Sequence, residues 1–252
     1  MPPTDFSGPN LKIERAERHI AEVEKLLELY ISENLRIFTN RRWQHQAIKQ
    51  GRAIADVKPH KHLPTALGDA IHNLRSSLDH AYCILIRTNG HTVTRNSYFP
   101  FDRTDWGRAQ ERIERESKNG HGPSAAVVDF IRDEAQPYPG GKHRLLDLHL
   151  LDIADKHQRI LPTSVGTYFR NIETTDPKSG EKIRHGHLAG WESGDSNFQF
   201  RGVYVKVESD LTNAFDVTFG RGQPLTGQPI LKTLQAISNS VTEIVGGLEK
   251  LA

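Results

Sequence analysis

The sequence predicts an α+β fold: a helical bundle with an antiparallel β-sheet formed mainly by the C-terminal third, and a closing C-terminal helix. Three observations predict it. Apolar residues recur every three or four positions over 10–38, 65–87, 143–160 and 229–250, the period of helices with one buried face. Between about 163 and 220 the period changes. Val203, Val205 and Val207 alternate with Tyr204, Lys206 and Glu208, as a half-buried antiparallel strand does. Clusters of Gly, Pro and Asn mark the boundaries between these blocks. At 252 residues the chain suits a single domain over 1–252, divided into a helical bundle (10–162), a sheet (163–228) and a helix packing back on the bundle (229–252).

The elements follow in order. Residues 10–38 form a long amphipathic helix with Ile13, Ala16, Ile20, Val23, Leu27, Tyr30 and Ile31 on its buried side. A hairpin at about 40–58 turns at Gln50-Gly51, a Gly-containing turn of hairpin type. Pro59 and Pro64 bracket a loop. A central helix then starts near Thr65 and ends near Arg87, with Asn89-Gly90 as its stop signal. Residues 91–103 read as loop or edge strand. Thr104-Asp105 opens a charged helix that ends near Asn119-Gly120, and Pro123-Ser124 opens another that reaches about Ala135. Gln136–Gly141 breaks the chain before the helix from Leu145 to Ile160. Strands are expected at 165–172, 182–188, 198–208 and 214–219. The last helix buries Ile230, Leu234, Ile237, Val241, Ile244, Val245 and Leu248, an apolar side too large to leave wet.

Composition narrows the classes of function. No run of apolar residues is long enough to span a bilayer, so no membrane association is expected. The N-terminus lacks the basic start and apolar core of a signal peptide. A single cysteine, Cys83, excludes an internal disulfide and suits a reducing cytoplasm. The net charge of +2 means that a nucleic-acid site must be a local patch. No phosphate-binding loop, dinucleotide fingerprint or serine elbow occurs, and no cofactor is expected.

The central helix carries the chemistry. Leu67, Ala70, Ile71, Leu74, Leu78, Ala81 and Leu85 form its apolar stripe, and Asp69, His72, Arg75, Ser76, Asp79, His80 and Cys83 lie on the other face. Arg75 and His80 fall on opposite shoulders of that face, both facing solvent in this reading, so that a ligand laid along it would meet both. Arg75 and Asp79 are also spaced as an ordinary i, i+4 ion pair. Asp69, His72, Asp79, His80 and Cys83 include i+3 and i+4 steps that suit a shared metal, but without the spacing of known zinc motifs, and no metal is assigned. A second polar concentration holds Asp147, His149, Asp152, Asp155, Lys156, His157 and Arg159, where Asp152–Lys156 and Asp155–Arg159 are favourable helix pairs. If this helix packs on the central one, Asp155 or His157 would orient His80. The stretch from Arg36 to His62 has one acid, Asp56, against seven cations. Its Arg41, Arg42, Trp43, Lys49 and Arg52 have the character of an RNA-contacting edge with an aromatic for stacking.

The segment Arg75-Ser76-Ser77-Leu78-Asp79-His80 resembles the Arg-x4-6-His signature of the HEPN superfamily of helical ribonucleases, with Ser76 at the polar position after the arginine. The wider phrase around it is similar to bacterial proteins of no settled function. The resemblance implies metal-independent RNA cleavage in a defence or toxin-type setting, by a homodimer whose two motifs face each other. Arg75 would polarise the scissile phosphate and His80 would move the proton, with His72, Asp79, Asp155 and His157 in support. The alternative is a non-enzymatic helical protein that binds RNA, a nucleotide or a protein partner.

Overall fold

The computed structural model describes residues 5–39, 60–158, 167–175, 182–188, 215–220 and 224–252. Six α-helices are formed by these residues: α1 (Ser7–Thr39), α2 (Leu63–Thr88), α3 (Trp106–Lys118), α4 (Ala125–Phe130), α5 (Leu145–Gln158) and α6 (Ile230–Glu249). A π-helical turn, Ile131–Ala135, follows α4 and ends at Gln136, which takes the left-handed conformation with φ 48°. Local signals explain the starts and stops. The Asp105 carboxylate accepts a hydrogen bond from the Arg108 N–H and caps α3, and Gly120 follows that helix with φ +73°, a conformation that glycine adopts without strain.

The α+β expectation is corrected: the described part of the chain is predominantly helical and its fold class is all-α. The chain divides into two compact units, one of Met1–Ala21, Thr65–Leu161 and Lys232–Ala252, the other of Glu22–Pro64 and Pro162–Leu231. Every regular element described in the first unit is helical. In the second, the described backbone has three strand segments, β1 (Thr167–Thr175), β2 (Lys182–Leu188) and β3 (Phe215–Val217). β1 runs antiparallel to both neighbours, with Phe169 opposite Leu188 and Thr167 opposite Val217. Val217 of β3 is buried. Alternation over a few residues shows that a segment can lie extended, not that a sheet forms a layer of the fold. The Val203–Val207 run that carried the expectation lies outside the described residues, as does the hairpin expected at 40–58.

The apolar stripe of α2 lies in the core. Leu67, Ala70, Ile71, Leu74, Leu78, Ala81 and Leu85 are all buried, and so are Tyr82 and Ile86. Burying each large side chain contributes about 1.5–3 kcal/mol. The N-terminal part of α1 runs antiparallel to α2. The Lys12 Nζ donates to Asn73 Oδ1 at 3.4 Å, while His80 Nδ1 lies 3.7 Å from where a Cβ on Gly8 would stand. Within the same unit α6 meets the end of α4, because a Cβ at Gly247 would collide with the Phe130 ring. Among the described residues no helix is long and apolar enough to cross a membrane.

Replacing Leu74, which is fully buried, by Ala should lower unfolding free energy in urea by roughly 2–5 kcal/mol. The same truncation at exposed Leu11 should change it by no more than about 0.5 kcal/mol.

Candidate functional site between two antiparallel helices

Helices α2 and α5 lie against each other in opposite directions, and a polar seam runs between them. At one end Gly68 faces Asp155. A Cβ at Gly68 would stand 2.8 Å from both carboxylate oxygens, so the absence of a side chain makes the close approach feasible. One turn further along α2, His72 Nδ1 is 3.3 Å from Asp152 Oδ1. The other oxygen, Asp152 Oδ2, accepts a 2.7 Å hydrogen bond from Lys156 Nζ, the helix pair that the spacing predicts. Asp152 is only 7% exposed through its side chain, whereas His72 is 51% exposed. On the solvent side of the imidazole, Nε2 lies 3.4 Å from Ser76 Oγ.

Beyond Ser76 the seam closes under a loop. Arg75 pairs with Asp79 and is only 7% exposed. Its guanidinium carbon sits 4.2 Å from the centre of the Phe101 ring, a cation–π contact. Phe101 in turn stacks on His149 of α5, with centroids 4.6 Å apart and planes within 7°. Asp79 Oδ1 also accepts the Phe99 backbone N–H at 2.8 Å. Phe99 meets Tyr82 edge-on, and the Cys83 thiol donates to the Ser97 carbonyl. Residues 97–101 are thus fastened along one shoulder of α2, and this loop covers Arg75.

His149 and Cys83 are among the groups of this region whose pKa departs from its ordinary value. His149 is pushed down to about 4 by burial and, next, by the Arg75 charge. Its imidazole is therefore neutral at pH 7, and its Nδ1 is buried without a hydrogen-bond partner among the described residues. Burial, reinforced by the Asp79 charge, pushes the Cys83 thiol up, so it is a poor nucleophile.

No known protein family, curated protein or solved structure matches this chain. The resemblance to HEPN ribonucleases therefore stands on the Arg75–His80 motif alone. The structure places those two residues apart. Arg75 lies under the 97–101 loop, which corrects its assignment to the solvent-facing sector. The helical period placed it on a shoulder, and a loop distant in sequence buries that shoulder. His80 is exposed and lies beside Gly8 of α1.

The supporting residues divide in the same way. His72, Ser76 and Asp79 belong to the seam. Asp155 does not reach His80: it packs on Gly68, twelve residues and about 18 Å of helix from His80. The side chain of His157 lies outside the described residues, as do Arg41, Arg42, Trp43, Lys49 and Arg52. Among the described residues no three His, Cys, Asp or Glu side chains converge to hold a metal ion. Asp152, His149 and Phe101 were not singled out as site residues from sequence. The signal for Asp152 was its place between His149 at i−3 and Lys156 at i+4, on one helix face.

Replacing Arg75 by Ala should lower stability by about 2 kcal/mol or more, because Asp79 loses its cation and Phe101 its partner; urea unfolding checks this. The His149 shift has a defined sign. Between pH 6.5 and about 4 the unfolded chain binds a proton that folded His149 refuses. Its contribution is complete above pH 6.5 and is lost as pH falls through about 4. The melting temperature of His149→Gln should therefore fall less steeply than wild type over that interval.

Proposed function

We propose that the protein is a metal-independent RNA endonuclease whose proton-transfer group is His72. The observation that supports this reading is the exposed imidazole braced by buried Asp152, with the Lys156 cation on the other carboxylate oxygen. In-line cleavage by a ribose 2′-hydroxyl needs a base to take its proton and a cation to offset charge on the phosphate. His72 Nε2 faces solvent on the Ser76 side and supplies the base. The Lys156 ammonium, about half exposed, supplies the charge. Arg75 serves this site from inside, by holding the 97–101 loop and α2 together. A second proton donor is needed for the leaving 5′-oxygen, and a second copy of the chain related by a two-fold axis would provide it.

The second reading is an RNA-binding protein without cleavage. The engagement of Arg75 inside the fold favours it, because the arginine to which the resemblance gives the phosphate is already paired with Asp79.

Purified protein should cut single-stranded RNA in excess EDTA and leave cyclic-phosphate or 3′-phosphate ends. His72→Ala should lower the rate by about 10²-fold, whereas His80→Ala should leave it within a few-fold. Light scattering should give the mass of a dimer. RNA retained but never cut would favour the binding reading. Cleavage that requires a divalent ion, or that survives His72→Ala unchanged, would overturn the assignment.

A further inference from the structure

The seam contains an arrangement that the RNA reading does not use. Ser76 Oγ, His72 Nε2, His72 Nδ1 and Asp152 Oδ1 follow one another as a hydroxyl, an imidazole and a carboxylate, with spacings of 3.4 Å and 3.3 Å. Such a set is recognised by geometry and roles rather than by order along the chain. We propose that Ser76, His72 and Asp152 form a proton relay that makes Ser76 a nucleophile toward activated esters.

Each member meets the requirement of its role. Asp152 is buried and held on its second oxygen by Lys156 at 2.7 Å, so it stays fixed behind the ring. An ionised carboxylate at Nδ1 selects the tautomer with the proton on that nitrogen. Nε2 is then the free base, and it faces a hydroxyl. Ser76 is half-buried and His72 is half-exposed, so an ester can approach from solvent. Contacts of 3.3–3.4 Å are loose for hydrogen bonds, and such bonds in ligand-free sites tighten when a substrate binds.

The reaction balances without another reagent than water. As Oγ bonds to the carbonyl carbon, its proton passes to His72 Nε2. The carbonyl re-forms, the C–O bond to the alcohol breaks, and His72 returns the proton to the departing alkoxide. Water then attacks the acyl-serine, gives a proton to His72, and the acid leaves as Ser76 regains its hydrogen. The interior of α2 offers few free backbone N–H groups to hold the oxyanion, because its amides are spent on the helix. Acylation is therefore expected to be detectable and turnover slow, with activated esters as the substrate class.

The relay shares His72 with the proposed RNA cleavage, but its reacting oxygen belongs to the protein, so the two are tested separately. Full-length protein is treated with a fluorophosphonate and analysed by intact mass and peptide mapping. A single adduct on Ser76 is expected, absent in Ser76→Ala. His72→Ala should slow its formation by about 10²-fold, with circular dichroism confirming that both variants fold. p-Nitrophenyl acetate should give a burst of nitrophenol that vanishes in Ser76→Ala. No adduct on wild type, an adduct on another residue, or labelling at the same rate in His72→Ala would overturn the relay. RNA cleavage by Ser76→Ala, measured alongside, reports on the other activity independently.

Discussion

Asp152 is the constraint around which the first unit is arranged. A carboxylate with 7% of its side chain exposed cannot stay ionised in an apolar interior without partners. Among the described residues it has two: Lys156 on its own helix, and His72 on α2. The first costs nothing in topology, since i and i+4 residues are neighbours on any helix. The second fixes how α5 lies against α2. Once His72 faces Asp152, antiparallel packing brings Gly68 to Asp155 and the Arg75 region to His149, as observed. A slip of α5 by one residue would turn Asp152 by about 100° away from His72, leaving a buried charge half satisfied.

The same seam separates two roles that the motif had joined. Arg75 and His80 are five positions apart, which is about 140° around a helix. One of them therefore turns toward the covering loop and the other toward solvent. The loop reaches Arg75 because Asp79, one turn further, accepts the Phe99 N–H. Phe101 then supplies an aromatic face for the guanidinium. A cation enclosed in this way stabilises the fold around the site and has little freedom to follow a substrate. In the proposed reading the proton chemistry falls to the histidine that is both exposed and braced, His72.

Much of the helical framework was legible because its signals are local. The seven-residue stripe of α2 gives its buried face, and the expected span of 65–87 becomes Leu63–Thr88. Asp105 and Asn119-Gly120 mark the ends of α3 for reasons of capping that involve only near neighbours. The fold class was not legible in this way. Alternation among residues of the C-terminal third carries no information on whether extended segments assemble into a layer. The candidate site was half legible. His72, Ser76 and Asp79 share a helix face and could be grouped by period. Their partners Asp152 and Phe99, and the Phe101 and His149 rings on the Arg75 side, come from elements 20 to 80 residues away, and no helical period relates them to α2. The burial of Arg75 belongs to the same class of fact, since a loop causes it.

The account rests on the state of one ring. If Asp152 braces His72, the imidazole carries its neutral-state proton on Nδ1 and leaves Nε2 as a base. Nitrogen-15 correlation spectra of the histidine side chains report this directly, with His72 assigned by its loss in His72→Asn. The account predicts that neutral His72 is the Nδ1–H tautomer and that Asp152→Asn shifts it toward the Nε2–H form common in free histidine. A neutral His72 already in the Nε2–H form in wild type, unchanged by Asp152→Asn, would contradict it.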